Sequence, residues 1–226
     1  MFDSKLDDLE VVHEDAHLLA LVKPAGLLAV PGRGSDKADC LITRAHQRWP
    51  DARVVHRLDQ ATSGLMLLAR GLAMQGALSA AFAERRVHKH YQALVHGRAD
   101  LPADADAGWA EIDLPLLIDW PNRPRSAVNY AAGKPSRTRW RPLAYDAAND
   151  ITRLALQPLT GRSHQLRVHL AALGHPILGD PLYADGAARH AAPRLLLHAA
   201  ELALTHPVSG QPCRWVCPAA FSAASG

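Results

Sequence analysis

Apolar and polar positions alternate from Leu9 to Val30 around Glu14-Asp15, the pattern of a β-hairpin whose second arm ends at Pro31-Gly32. Within that arm Lys23-Pro24-Ala25-Gly26 reads as a bulge or turn. Asp39 to Trp49 has the pattern of a short helix capped near Asp39. Two apolar runs follow, Val54-Val55 and Leu65-Met66-Leu67-Leu68, and both read as buried strands. Between them lies a polar segment, His56 to Gly64, in which Thr62-Ser63-Gly64 supply turn chemistry. Leu72 to Arg86 puts Leu78 and Phe82 on one side of an amphipathic helix, and Lys89 to His96 alternates as a strand.

Asp100 to Ser126 is rich in Pro, Asp and Trp and is expected to be a loop insertion. Its DWPNRPRS end is stiffened by two prolines and carries two arginines. Arg137 to Tyr145 and Ile151 to Gln157 form a further expected hairpin, joined through Asp146 to Asp150. Pro158 to Ser163 reads as a loop, with Ser163 the N-cap of a helix through HQLRVHLAALG that closes at Gly174. Leu195 to Leu204 and Arg214 to Val216 are late strands, and no repeat, low-complexity linker or clear domain boundary interrupts the chain. Hairpin-joined strands with few helices predict the α+β class: one domain, residues 1–226, on a large mixed, mostly antiparallel sheet with flanking helices and loops.

Composition narrows this only slightly. At 226 residues, with 48% hydrophobic and 21% charged positions, the chain can bury a sizeable core and reads as soluble and globular. No apolar stretch approaches the roughly 18 residues of a membrane helix. MFDSKLDDLE is too acidic for a signal or transit peptide, and three cysteines make no disulfide framework, so a cytoplasmic protein is expected. The net charge of +3 matters less than its distribution. Arg123, Arg125, Lys134, Arg137, Arg139 and Arg141 lie between Trp120 and Tyr145 with no acid among them. Such a block suits a polyanion partner, although a charge run alone is more often a solvated face.

The candidate chemistry centres on Asp59, the one carboxylate in the His56–Gly64 segment, with Arg57 two residues before it. A carboxylate on a loop between buried strands is held rigidly and partly desolvated, as catalysis requires; a turn acceptor is the plainer alternative. Arg162 stands four residues before Leu166, in register with a stripe through Leu170 and Leu173. A helix reaching back to Arg162 would turn its guanidinium inward, where it needs an anion, and Asp59 is the candidate. That pairing would keep Asp59 ionised in dry surroundings. Tyr91 is a core residue or, in a nucleic-acid enzyme, a base-stacking and proton-transfer group. His56 with Asp59, and His164 with His169, lack zinc spacing, and Cys213 and Cys217 read as packed thiols. No serine-nucleophile elbow, phosphate loop or dinucleotide fingerprint is present.

HRLDQATSGLMLLAR resembles the catalytic motif of RluA-type pseudouridine synthases, H-R-L-D-x-x-T-S-G followed by aliphatic residues. KHY is similar to that family's K-x-Y segment, GRSHQLRVHLAALGHPILGDPLYA to its third motif, and RLLLHAAELALTHP to its C-terminal one. The motifs stand in family order over about Val11 to Pro218; Met66, Arg70 and Ser163 are minor departures. The resemblance implies an isomerase without cofactor or metal that converts uridine in RNA to pseudouridine. It implies that Asp59 acts at the ribose, by attack on C1′ or by taking the 2′ proton. Tyr91 would stack on the base, Arg162 would pair with Asp59, and Arg57, with His56 beside it, would serve base flipping.

Many relatives carry an N-terminal S4 RNA-binding domain that is not expected here, which leaves RNA to Arg85, Arg86, Lys89, Arg123, Arg125 and Arg137. The DLPLLIDWPNRP insertion is similar to that of a branch acting on a tRNA anticodon stem-loop and a 23S rRNA stem-loop. The resemblance therefore implies one or both of these substrates, no membrane or protein partner, and a monomer. A non-catalytic RNA-binding relative and a metal-dependent hydrolase using His56 and Asp59 are the competing expectations.

Overall fold

The structure, a computed structural model, describes residues 9–34 and 37–221; most of MFDSKLDDLE lies outside the described residues. The chain forms two compact units, Met1–Lys89 with Ala199–Ala219, and His90–His198 with Ala220–Gly226.

The first unit contains β1 (Val11–Glu14), β2 (Leu18–Lys23), α1 (Leu41–Arg48), β3 (Ala52–Val54), β4 (Ser63–Arg70) and α2 (Gly71–Ala83). Two late strands, β11 (Leu197–Thr205) and β12 (Pro212–Val216), return to it. The strand order is β1-β2-β4-β11, with β3 also on β4 and β12 on β11. Strand β4 is buried along its whole length apart from Arg70, which explains its unbroken SGLMLLAR run: a strand covered on both faces has no polar alternation. Leu18, Ala20, Leu65, Leu67 and Ala69 pack with Met74, Leu78 and Ala81 of α2 and with Leu202, Leu204 and Trp215. Each fully buried leucine contributes about 2 kcal/mol. The expected β1–β2 hairpin is present, its turn fixed by Asp15 Oδ1, which accepts the His17 and Leu18 amides at 2.7 and 2.8 Å. The first helix is capped one residue later than expected, at Cys40, because Asp39 instead pairs with Arg44.

Gly64, the second residue of β4, has φ +115, and a Cβ there would sit 2.3 Å from the Ala199 carbonyl oxygen. Only glycine permits both that dihedral and that approach.

The second unit contains β5 (His88–His96), β6 (Ala110–Asp113), β7 (Leu116–Ile118), β8 (Ser126–Val128), β9 (Arg137–Asp146), β10 (Ile151–Pro158), α3 (Gln165–Ala172) and α4 (Gly186–His190). Its strands run β5-β10-β9-β6 and every pair is antiparallel, while β7 and β8 form a separate hairpin. The β9–β10 hairpin matches expectation. The 100–126 insertion does not: it is no plain loop, since β6 lines β9 and β7 begins the second hairpin. These strands are only three or four residues long, too short for periodicity to register, and the partner of β6 lies outside the insertion.

Candidate active site

Asp59 is carried where the chain leaves β3 and turns back into β4, after the last paired residues, Val54 and Leu68. Its carbonyl accepts the Thr62 amide at 3.1 Å, Leu58 is buried, and the Asp59 side chain is half-buried. The loop is fastened from β2. The ammonium of Lys23, wholly enclosed, donates to the carbonyls of Pro24, Leu27 and Gln60 at 2.8, 2.8 and 3.1 Å. Gly26 donates its amide to the same Gln60 carbonyl at 2.8 Å, and the Gln60 side chain donates back to the Gly26 carbonyl at 3.0 Å. The peptide next to Asp59 is thereby bolted to the end of β2. Burial draws the Lys23 ammonium down to about 8, and the negative charge of Asp59 opposes that fall. The turn reading of Lys23-Pro24-Ala25-Gly26 missed this lysine. Its signal was a cation closing an otherwise apolar strand, where a solvated side chain has no place.

His56 braces the same loop. Its Nε2 accepts the Leu67 amide at 2.9 Å and its ring stacks on Phe82, 4.3 Å between centroids and 23° between planes. Beyond Val54, β3 offers no acceptor to Leu67, and the imidazole supplies one. Burial, reinforced by the charge of Lys89, pulls His56 down to about 3. The unfolded chain therefore takes up a proton below its ordinary 6.5 that the folded chain refuses, and stability present above 6.5 is lost as pH falls toward 3. The slope approaches about 1.4 kcal/mol per pH unit. In His56→Gln the amide oxygen still accepts but does not titrate. Urea unfolding at several acidic pH values should show a flatter dependence in this variant, and an unchanged slope would place the acid lability elsewhere. Arg57, by contrast, is exposed.

In the second unit Tyr91 of β5 lies opposite Leu156 of β10 and is half-buried. From β10 the chain runs through Pro158 into the turn that carries Arg162. The helix does not reach back to Arg162: α3 starts at Gln165, its N-cap is His164 in place of Ser163, and His164 takes the left-handed conformation at φ 57. Arg162 is consequently exposed. The buried arginine of this region is Arg167, which meets Asp180 through two hydrogen bonds of 2.6 and 2.8 Å, the side chains 3% and 0% exposed. The stripe through Leu166 misled because α3 is buried on every side from Gln165 to Leu170, so no face marks inward.

Gln165, absent from the expected site, fixes the Arg162 turn. Its Oε1 accepts from the Thr160 hydroxyl at 2.7 Å and the Arg162 amide at 3.0 Å. Its Nε2 donates to the Arg137 carbonyl and to Thr138 Oγ1, both at 2.9 Å. The cations expected on RNA differ in their surroundings. Arg137 is paired across strands with Glu111 of β6 at 2.9 Å, an acid that only the unforeseen β6 brings near, and Arg86 is paired with Glu84 at 2.7 Å. Lys89 is lowered by burial and by the charge of Arg85. Arg85, Arg123 and Arg125 are exposed.

The sequence pattern of the RNA pseudouridylate synthase family matches residues 17–172, a span that includes Asp59, Tyr91 and Arg162. The chain belongs to that family. It is an RNA pseudouridine synthase, an isomerase that turns uridine within RNA into pseudouridine. This synthase is 47% identical over 213 residues, 94% of each chain, to the "Dual-specificity RNA pseudouridine synthase RluA" of Escherichia coli strain K12. It is 46% identical to the Yersinia pestis protein of the same name, covering 93% of this chain and 99% of that one. Among solved structures it is similar to Human RNA Pseudouridylate Synthase Domain Containing 1, with a TM-score of 0.76 and 30% identity over 96% of this chain and 86% of that one. The α+β class with a large, mostly antiparallel sheet is as expected. Among the described residues, no helix of the synthase is long and apolar enough to cross a membrane.

Proposed function

We propose that Asp59 is the essential carboxylate of this synthase and that its substrates are a tRNA anticodon stem-loop and a 23S rRNA stem-loop. The observation that supports the first part is the fastening of the Asp59 loop by a buried Lys23 and a neutral His56, which fixes one carboxylate in half-buried surroundings. Catalytic residues concentrate on loops positioned by a rigid scaffold. The target nucleotide is flipped out of its stack, and Arg57, exposed on the same loop, fills the place it leaves. Asp59 then attacks C1′ or removes the 2′ proton, and the N1–C1′ bond breaks. Uracil turns, the C5–C1′ bond forms as the Asp59–C1′ bond breaks or as the 2′ proton returns to C2′, the C5 proton leaves and N1 gains one. Atoms balance without a co-reactant. The motif resemblance gives Tyr91 the base and the C5 proton, and gives Arg162 the charge of the Asp59 carboxylate.

The substrate reading is supported by relatives whose name declares dual specificity for RNA. Phosphates are held by Arg85, Arg123 and Arg125, and the synthase acts as a monomer in the cytoplasm. The test is to map pseudouridines in tRNA and 23S rRNA from a strain lacking the gene, with and without its restoration. One site should vanish and return in each RNA. A change in only one RNA would reduce the proposal to a single substrate, and no change in either would overturn it. The hydrolase alternative is disfavoured by His56, whose Nε2 is already committed to the Leu67 amide.

A further inference from the structure

The hairpin of β7 and β8 ends in a tip, Asp119 to Arg125, held by backbone hydrogen bonds and by its own Asp119 and Asn122 side chains. The Asp119 amide donates to the Arg125 carbonyl at 2.9 Å, and the Arg125 amide to the Asn122 carbonyl at 3.1 Å. The Asn122 side chain donates to Asp119 Oδ2 at 2.9 Å. Pro121 and Pro124 restrict the remaining backbone freedom. The hairpin is also anchored at its base. The Ser126 amide donates to the Tyr183 hydroxyl at 2.7 Å, and that hydroxyl bonds His164 Nδ1 at 2.7 Å, two residues after Arg162. The Leu116 and Lys134 backbones exchange hydrogen bonds at 3.0 and 2.8 Å.

At this rigid tip Trp120 is 63% exposed, and nothing in the packing of the hairpin requires an indole there. The Arg123 guanidinium lies over its ring at 4.2 Å and donates to the Trp120 carbonyl, which holds the pair together. Arg125, two residues on, is also exposed, its guanidinium 5.4 Å from the centre of the Tyr183 ring, and the acid of the tip, Asp119, is occupied within the turn. A planar π surface set among uncompensated cations matches a nucleobase with its phosphate. Bases inside a duplex present no free face, so the match is to an unpaired nucleotide.

We propose that Trp120 and Arg123 form a stacking platform for an unpaired loop base of the RNA substrate, a different base from the one being isomerised. The proposal rests on the stem-loop substrate reading above. It makes the hairpin a reading element for loop conformation, tied through Tyr183 and His164 to the turn that carries Arg162.

The probe is a synthetic tRNA anticodon stem-loop carrying 2-aminopurine at one unpaired position at a time, with dissociation constants measured over a range of KCl. With the wild-type protein, binding should quench one loop position. Trp120→Ala should remove that quench and weaken binding about ten- to a hundredfold. Its salt slope should stay unchanged, since no phosphate contact is lost, and so should its Tm and its kcat at saturating RNA. Trp120→Phe should restore most of the affinity and the quench. Wild-type affinity in Trp120→Ala would overturn the platform, as would a Phe variant no better than Ala, or an equal loss on a fully paired duplex. Failure of the wild-type protein to bind or modify any stem-loop would overturn the substrate reading itself, a result distinct from loss in the variants alone.

Discussion

Asp59→Asn should lower pseudouridine formation by at least about a thousandfold, roughly 4 kcal/mol of transition-state stabilisation, with RNA affinity close to wild type. The substitution keeps the shape of the side chain and the turn bond from the Thr62 amide to the residue 59 carbonyl, so the loop survives. It removes a group able either to attack C1′ or to accept the 2′ proton; a carboxamide does neither. Loss of the charge also removes the force that opposes the fall of the Lys23 pKa. Alkaline titration of stability should therefore bend at lower pH in the variant, an independent sign that the carboxylate sits where the structure places it. Release of tritium from RNA labelled at uridine C5 reports the reaction directly. Turnover within tenfold of wild type would remove Asp59 from its role.

The largest expected loss of stability comes from elsewhere. Arg167→Met leaves the Asp180 carboxylate buried with only the Leu182 and Tyr183 amides for company, and should cost about 3–5 kcal/mol. For a chain of this size that is a fall in Tm on the order of 10 °C. Asp180→Asn should cost less, because a neutral side chain leaves only the guanidinium uncompensated and still bonds it. The double variant should be less unstable than the sum of the singles, since neither buried charge is then left without its partner. Calorimetry on the four proteins closes the cycle, and strict additivity would mean that the two side chains do not act as a pair. Arg167 also lies under the Tyr183 ring, 5.0 Å from its centroid, so RNA affinity should fall together with stability.

The hairpins of β1–β2 and β9–β10 were legible because their two arms are close in sequence, and the helix α2 because its 13 residues are enough for a helical period to register. The placing of Asp59 on a loop between two buried runs was legible for a similar reason, since both runs fall in neighbouring strands that pair with each other. Strands β6 to β8 were not, since three or four residues carry too little periodicity and β6 exists through its pairing with β9. The pairing of Arg137 with Glu111 stayed hidden with it. Arg162 and Arg167 exchanged characters because the amphipathic rule presumes a solvent-facing side, which α3 lacks. Lys23 and Gln165 are polar residues whose work is done on backbone carbonyls, and a sequence pattern does not record which carbonyls arrive.

Gly64 meets Ala199 backbone to backbone, and the unit that carries Asp59 includes the stretch Ala199–Ala219. During synthesis on the ribosome the segment bearing the Asp59 loop emerges before β5 to β10, while the strands that complete its unit, β11 and β12, emerge after them. The Asp59 carboxylate is thus mounted only once β11 and β12 have been made, and a product that stops before them lacks the completed unit.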